Sequence, residues 1–576
     1  MPMPLSRTFP ALLDEMARRF PEREFLVDGA RRWSYAAFRE EARALAKGLV
    51  RLGVRPGDTL ALLMGNRAEW LLAEFAALMA GAIMVAVNTW FRTRELGYVL
   101  RHCDCTTLIT ADRYLRQDYP AILREIEAGG ERLPQLRHRI SLSESGAAID
   151  GMTPFERLCE LGREVSDAAL DAACARVRPD DIAYILYTSG TTAMPKGAQL
   201  RHGDIIENGF NIGERQHLGE ADRLWMGISL FWAFGCMNAL PAILTHGGAI
   251  VLQRHFNPAE ALALIEREQC TVYYGTPNMT LALVEHPDFA TRDLSPLRTG
   301  LTIGGARAVR LAVALGARAI CQCYGLTEAC GNSAVSDADE PEELRGSACG
   351  RPLPGTEIVI ADPETHAPLP EGALGEIKIR GPVMTGYYND PERNAEAFDA
   401  EGFLLSGDLG WRDRDGYVHF HARLKEMLKS GGILFAPREV EDFLASLPEI
   451  GEAHAVGVPD PRKDEVVACA VLLREGARLG EEEILARCRA ALAAYKVPAH
   501  LWFVQADELP RTATGKVQKF RLRELFFTRL AASGNEPSPT SSSSWSTLSR
   551  NAGEGAERGQ SPREAGEGFH DRRPPR

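Results

Sequence analysis

Residues 182–197 read IAYILYTSGTTAMPKG. The first seven residues, IAYILYT, are a β-rich run, and the pattern then breaks into hydroxyls, glycine and one lysine. Backbone N–H groups of a glycine-containing turn, the hydroxyls of Thr188, Ser189, Thr191 and Thr192 around Gly190, and the ammonium of Lys196 are what a polyphosphate requires. The loop is not a Walker loop, because Pro195 stands where the second glycine belongs and Gly197 where the magnesium-binding hydroxyl belongs.

Working outward, further β-rich runs occur at 248–253 (GAIVLQ) and 271–275 (TVYYG), with the helical pattern PAEALALIEREQ at 258–269 between them. Strands alternating with helices of this length predict parallel sheets flanked by helices, with ligands at the carboxyl ends of the strands. Around 375–420 the texture changes to short strands, GEIKIRG and GYVHFHA, which predicts a small β-rich antiparallel element closing the large unit. A second pattern follows, with EVEDFLASL and EEEILARCRAAL as helices and AHAVGV and EVVACAVLL as strands. The expected fold is α/β. Residues 1–422 form a large domain of helix-flanked sheets, 423–531 a small α+β domain, and 532–576 a low-complexity tail expected to be disordered.

Composition agrees with more than one globular core: 576 residues, 45% hydrophobic and 25% charged. Lys+Arg 66 against Asp+Glu 78 argues against a general hold on nucleic acid or anionic lipid. Residues 1–422 carry 43 basic and 56 acidic side chains, so the acidity belongs to the large domain and leaves room for local basic pockets. Twelve cysteines with no zinc-type spacing read as reduced thiols of a cytoplasmic protein. The amino terminus has no signal-peptide core, and the longest apolar run, Phe75 to Val87, is 13 residues against the roughly 20 of a spanning helix.

Six strings occur in order over about residues 10–525: YTSGTTAMPKG; Gly304-Gly305-Ala306; Gln322-Cys-Tyr-Gly-Leu-Thr-Glu328; Ser406-Gly-Asp408; Arg423-Leu-Lys425 followed by Ser430-Gly431-Gly432; and Pro510-Arg-Thr-Ala-Thr-Gly-Lys516. Together they resemble the adenylate-forming (AMP-binding) superfamily of acyl-CoA synthetases, luciferases and peptide-synthetase adenylation domains. The resemblance implies two steps. A carboxylate attacks the α-phosphate of ATP to give acyl-AMP and pyrophosphate, and coenzyme A then displaces AMP. A carboxylic acid with a pKa near 4 is ionised at neutral pH, so the first step needs alignment and charge neutralisation rather than a general base.

By the same resemblance, Thr188, Ser189, Gly190, Thr191, Thr192 and Lys196 cradle the β- and γ-phosphates. Tyr324 and Gly325 with the backbone of Gly304 to Ala306 hold adenine, Thr327 reaches the α-phosphate, and Glu328 holds Mg²⁺. Asp408 and Arg423 bind the ribose hydroxyls. Lys516 bridges carboxylate and α-phosphate in adenylation. Lys425 is the hinge about which a mobile small domain brings Ser430, Gly431 and Gly432 toward the site for the thiol step.

Four positions depart from the common pattern: Ala193 replaces a glycine, Trp232 a histidine, Ala422 a glycine and Leu434 an asparagine. The acyl pocket is expected from Phe231, Trp232, Phe234, Tyr274, Met279 and Leu301, which carry no charge. They favour an apolar acid, a fatty acid first and an aryl or cyclic acid second. Expected partners are the acid, ATP and CoA, with no nucleic acid and no membrane segment, and a homodimer is left open. An acyl-AMP ligase that loads a carrier protein, an adenylate-oxidising enzyme and a non-catalytic binding remnant are the rival readings.

Overall fold

The structure is a computed structural model, and it describes residues 2–129, 133–144, 146, 148–188, 194–430, 433–460, 464–511 and 515–532. The expected tail therefore lies outside the described residues from 533 onward, as do Ser189, Gly190, Thr191, Thr192, Ala193, Gly431 and Gly432. The chain divides into two compact units. One comprises Met1–Asp362, His366–Lys425 and Ala513–Lys516, and the other Pro363–Thr365, Glu426–Thr512 and Val517 onward.

The first unit holds the expected helix-flanked sheets. In one, Ile182–Thr188 lies between Ile83–Ala86, which runs parallel to it, and Lys196–Arg201, which runs antiparallel. Thr59–Leu63, Thr107–Ala111 and His138–Leu142 continue that sheet in parallel. In the other, Glu24–Asp28, Ala249–Leu252, Arg223–Met226, Val272–Gly275, Thr299–Thr302 and Ala319–Tyr324 are parallel neighbours. Both sheets put only antiparallel strands at the edge near the site, Gly386–Tyr387 in the first and Ala334–Val335 and Arg351–Pro352 in the second. A four-stranded antiparallel sheet, Glu357–Ala361, Gly375–Arg380, Leu404–Arg412 and Val418–Arg423, forms the β-rich element.

The apolar run from Phe75 to Val87 is split by structure. Helix Ala68–Met79 ends before Gly81, whose φ of 77° makes the turn, and strand Ile83–Ala86 follows. Past its first turn, where Glu69 pairs with Arg31 and Arg67, the helix is buried on every side and carries one carboxylate, Glu74, fully buried. Its Oε1 accepts the hydroxyl of Tyr184 on the central strand, and Oε2 has no hydrogen-bond partner among the described residues. Burial pushes the Glu74 carboxyl well above the usual carboxylate range. All twelve cysteines are free, and among the described residues no helix is long and apolar enough to cross a membrane.

In the second unit Ile450–Asp460 pairs antiparallel with Asp464–Leu473, which runs parallel to His500–Phe503. The near-continuous apolar text of EVVACAVLL follows from burial on both faces. Val467, Cys469 and Val471 meet helices Pro437–Ala445 and Glu481–Ala491 through Val440, Leu444, Ile484 and Cys488. Val466, Ala468 and Ala470 pack with Leu522 and Phe526 of helix Lys519–Ala532.

Candidate active site

The first cluster stands at the end of the central strand. Thr188, its last residue, is the register partner of Lys196 on the antiparallel strand. Lys196 Nζ lies 3.1 Å from Glu328 Oε1 and donates to the hydroxyl of Tyr387 at 2.5 Å. That hydroxyl donates to the same Glu328 oxygen at 2.9 Å. Three elements converge here: strand Lys196–Arg201, the 3-10 turn Thr327–Ala329 after strand Ala319–Tyr324, and the two-residue strand Gly386–Tyr387, in which Tyr387 pairs with Ala198. Glu328 is 7% exposed and lies beside the ammonium. Burial and the adjacent Glu328 carboxylate push the Tyr387 phenol far above its ordinary value, so it remains a donor. Thr188 Oγ1 is buried with no partner among the described residues.

The second cluster is built where the other sheet meets the antiparallel element. Gly304 and Gly305 join strand Thr299–Thr302 to helix Ala306–Leu315 with φ of 112° and 76°. A Cβ on Gly304 would also come within 2.9 Å of Pro277, so side chains are excluded on both counts. On the neighbouring strand Tyr324 donates its hydroxyl to Asp408 Oδ2 at 3.0 Å and stacks on Phe420 at 6.2 Å between centroids. Asp408 Oδ1 is 3.1 Å from Arg423 Nε, and the two residues are register partners on adjacent strands. Asp408 is 2% exposed, while Arg423 is about half exposed. Gly325 and Thr327 lie on the loop between the clusters; a Cβ on Gly325 would collide with the backbone of Gly331 at 2.0 Å.

The acyl-pocket candidates also come together. Phe231 and Trp232 meet edge to face at 5.2 Å, and Phe234 lies against Tyr274 at 5.2 Å. Tyr274 is the register partner of Leu301, and the half-buried Met279 packs against the same apolar cluster. A π-helix, Phe234–Ala239, interrupts the segment before helix Leu240–Thr245. The hydroxyl of Tyr274 accepts a hydrogen bond from the buried Gln216 amide at 2.7 Å.

In the second unit Ser430 ends the short strand Leu428–Ser430 and is buried. Lys516, exposed, follows Gly515, φ 78°, and is grouped with the first unit, while Arg511 and Val517, which form a bridge, belong to the second. The unit boundary falls between Lys425 and Glu426.

Sequence reasoning passed over three residues. Tyr387 is 59 residues from Glu328 and 191 from Lys196, and its one signal is the doubled tyrosine of TGYYND. Trp90 meets Trp232 edge to face at 5.8 Å and Phe231 at 6.3 Å, which makes a three-ring cluster with no local signature in the sequence. Glu376 gave no signal beyond being an acid inside a strand, GEIKIR.

The donor set at Glu328 suits a hard cation: a single buried carboxylate is the arrangement in which Mg²⁺ takes few protein oxygens and completes its shell from phosphates and water.

Two family models match the chain, AMP-binding enzyme over residues 13–388 and AMP-binding enzyme C-terminal domain over 439–516. A putative acyl-CoA synthetase of Bacillus subtilis, YngI, is 36% identical over 534 residues, covering 90% of this chain and 96% of that protein. The mitochondrial medium-chain acyl-CoA ligase ACSF2 of Rattus norvegicus is 33% identical, covering 90% of this chain and 88% of its own. The crystal structure of the anthranilate CoA ligase AuaEII with anthranoyl-AMP is similar at a TM-score of 0.81, with 28% identity, and 92% of this chain and 99% of that one covered.

Proposed function

We propose that this chain, which belongs to the AMP-binding enzyme family and is an AMP-forming acid–thiol ligase, activates an apolar carboxylic acid, a fatty acid first, and passes it to coenzyme A. One observation carries the substrate reading: the candidate pocket presents Phe231, Trp232, Phe234 and Leu301, and its one polar side chain, the phenol of Tyr274, is uncharged. A site built to hold a charged substituent would place an opposite charge against it. The relative that acts on medium-chain acids supports the fatty acid; the neighbour that carries anthranoyl-AMP supports the aryl acid as the second reading.

The residues divide the work. Lys196 and the hydroxyl-rich loop take the β- and γ-phosphates, and arriving phosphate oxygens compete with Glu328 for the Lys196 ammonium. Glu328 is the residue to hold Mg²⁺, which when bound neutralises phosphate charge, and Tyr387 keeps its carboxylate oriented. Tyr324, with the glycine turn at 304–305, takes the adenine. Asp408 and Arg423 take the ribose, a buried carboxylate being suited to accept two hydroxyls of a diol. Lys516 steadies the charge on the carboxylate and α-phosphate during adenylation; the C-terminal family match ends on it. The proposed domains are 1–422 and 423–531, with the hinge at Lys425 supported by the unit boundary beside it. Twelve free thiols support the cytoplasm as its compartment.

The test is pyrophosphate release from ATP over a panel of fatty, aryl and cyclic acids, with and without CoA. Release that is greatest with fatty acids, together with CoA-dependent loss of acyl-AMP, is the expected result. Greatest release with an aryl or cyclic acid would replace the fatty acid, and acyl-AMP that persists in CoA would replace the acceptor.

A further inference from the structure

The antiparallel element contains a bulge at the position that matters for the nucleoside. Glu376 pairs with Leu409 and Lys378 with Leu405, so one residue, Ile377, faces three, Ser406, Gly407 and Asp408. Extra residues in a bulge lose their ladder partners, and their N–H groups need other acceptors. Side chains supply both. Asp408 N–H donates to Ser406 Oγ at 3.0 Å, and Gly407 N–H donates to Glu376 Oε1 at 2.9 Å.

Glu376 is an unusual tenant of its strand. It is 4% exposed in Gly375–Arg380, and the nearby lysine is not its partner, because Lys378 Nζ is taken by Asp399 at 2.6 Å. Its second oxygen is 3.9 Å from His366 Nδ1. A buried carboxylate is costly to keep, and its hydrogen bond goes to the residue that turns the bulge: Gly407 has φ of 67°, a conformation open to glycine, and the next residue aims its carboxylate at Tyr324 and Arg423.

We propose that Glu376 is a positioning residue for nucleotide recognition: by holding Gly407 N–H it fixes the bulge that presents Asp408 to the ribose diol. The proposal rests on the reading of Asp408 as the ribose ligand, and the experiment separates the two. Pyrophosphate release by the full chain is measured with ATP and with 2′,3′-dideoxy-ATP, which lacks both hydroxyls. At about tenfold for each charge-assisted hydrogen bond, the unaltered enzyme is expected to prefer ATP by about a hundredfold in kcat/KM. Glu376→Ala is expected to lower that preference by tenfold or more while KM for the acid stays unchanged, and Glu376→Gln, which keeps an acceptor oxygen, is expected to retain it. Glu376→Leu, similar in size but without an acceptor, is read in the same way should the alanine variant not fold. Asp408→Ala is the reference. If it keeps the preference, the ribose reading fails and the proposal with it. If Asp408→Ala loses the preference and Glu376→Ala or Glu376→Leu keeps it, the proposal alone is overturned, and loss in a folded Glu376→Gln overturns the hydrogen bond as its basis.

Discussion

Replacing Glu74 by glutamine tests whether the fold carries a neutral carboxyl in its main core. Glu74 is fully buried among the apolar residues of its helix, forms no ion pair among the described residues, and accepts a hydrogen bond from Tyr184. Burial raises its folded-state pKa, so between the unfolded value of about 4.3 and the folded value the native chain keeps a proton that the unfolded chain releases. The stability Glu74 allows is therefore complete below about pH 4 and is lost as pH rises, at about 1.4 kcal/mol per pH unit, until the folded pKa is reached. Glutamine has no proton to release and removes that slope. Any fixed cost or gain of its amide is the same at every pH. Urea unfolding at pH 5, 6 and 7 should show the advantage of Glu74→Gln over the unaltered protein widening by about 1.4 kcal/mol at each step below the folded pKa. A constant gap across the three pH values would mean that Glu74 is ionised in the fold, and the account of its burial would be wrong.

Lys516→Ala should abolish acyl-AMP formation yet spare thioester formation from supplied acyl-AMP; equal loss in both half-reactions would remove the role given to Lys516. Lys425→Pro, which fixes φ at the unit boundary, should slow the thiol step more than pyrophosphate release in single-turnover assays. Wild-type rates in both steps would dismiss Lys425 as the hinge. Tyr387→Phe keeps the ring 4.3 Å from the Lys196 ammonium but deletes both hydroxyl contacts, and should raise KM for MgATP about tenfold. An unchanged KM would leave Tyr387 a packing residue. Trp90→Ala opens the three-ring cluster with Phe231 and Trp232 and should shift the preferred acid toward bulkier members of the panel; an unaltered ranking would count against a pocket at these rings.

What was legible in the sequence is what is local. The strand Ile182–Thr188 appears at the bounds its β-rich text suggests, and the helix at Pro258–Arg267 falls within its periodic segment. Lys196, Glu328, Asp408 and Arg423 could be nominated because each sits in a short string of chemistry-bearing residues, and the structure pairs Lys196 with Glu328 and Asp408 with Arg423. Tyr387 and Trp90 could not, because their significance comes from strand pairing and ring contacts with residues distant in sequence. Glu376 is a third kind of case: the two-residue excess in the facing strand that gives it work to do is a mismatch between strands, which no single strand displays. The alternation of EVVACAVLL was hidden for a different reason, since both of its faces are covered.

The π-helix at Phe234–Ala239 has a consequence for how this segment can change over generations. A π turn is an α turn with one residue inserted. Removing any one residue there can be absorbed by relaxation to α geometry, without breaking a strand or shifting the sheet register behind it. The wide turn and the α turn each close one revolution, so the side chains before it keep their direction. Phe231 and Trp232 stand just before it, and Phe234 is its first residue. A one-codon deletion would thus be tolerated by the fold behind these rings, which makes this segment a place where chain length, as well as side-chain identity, can vary.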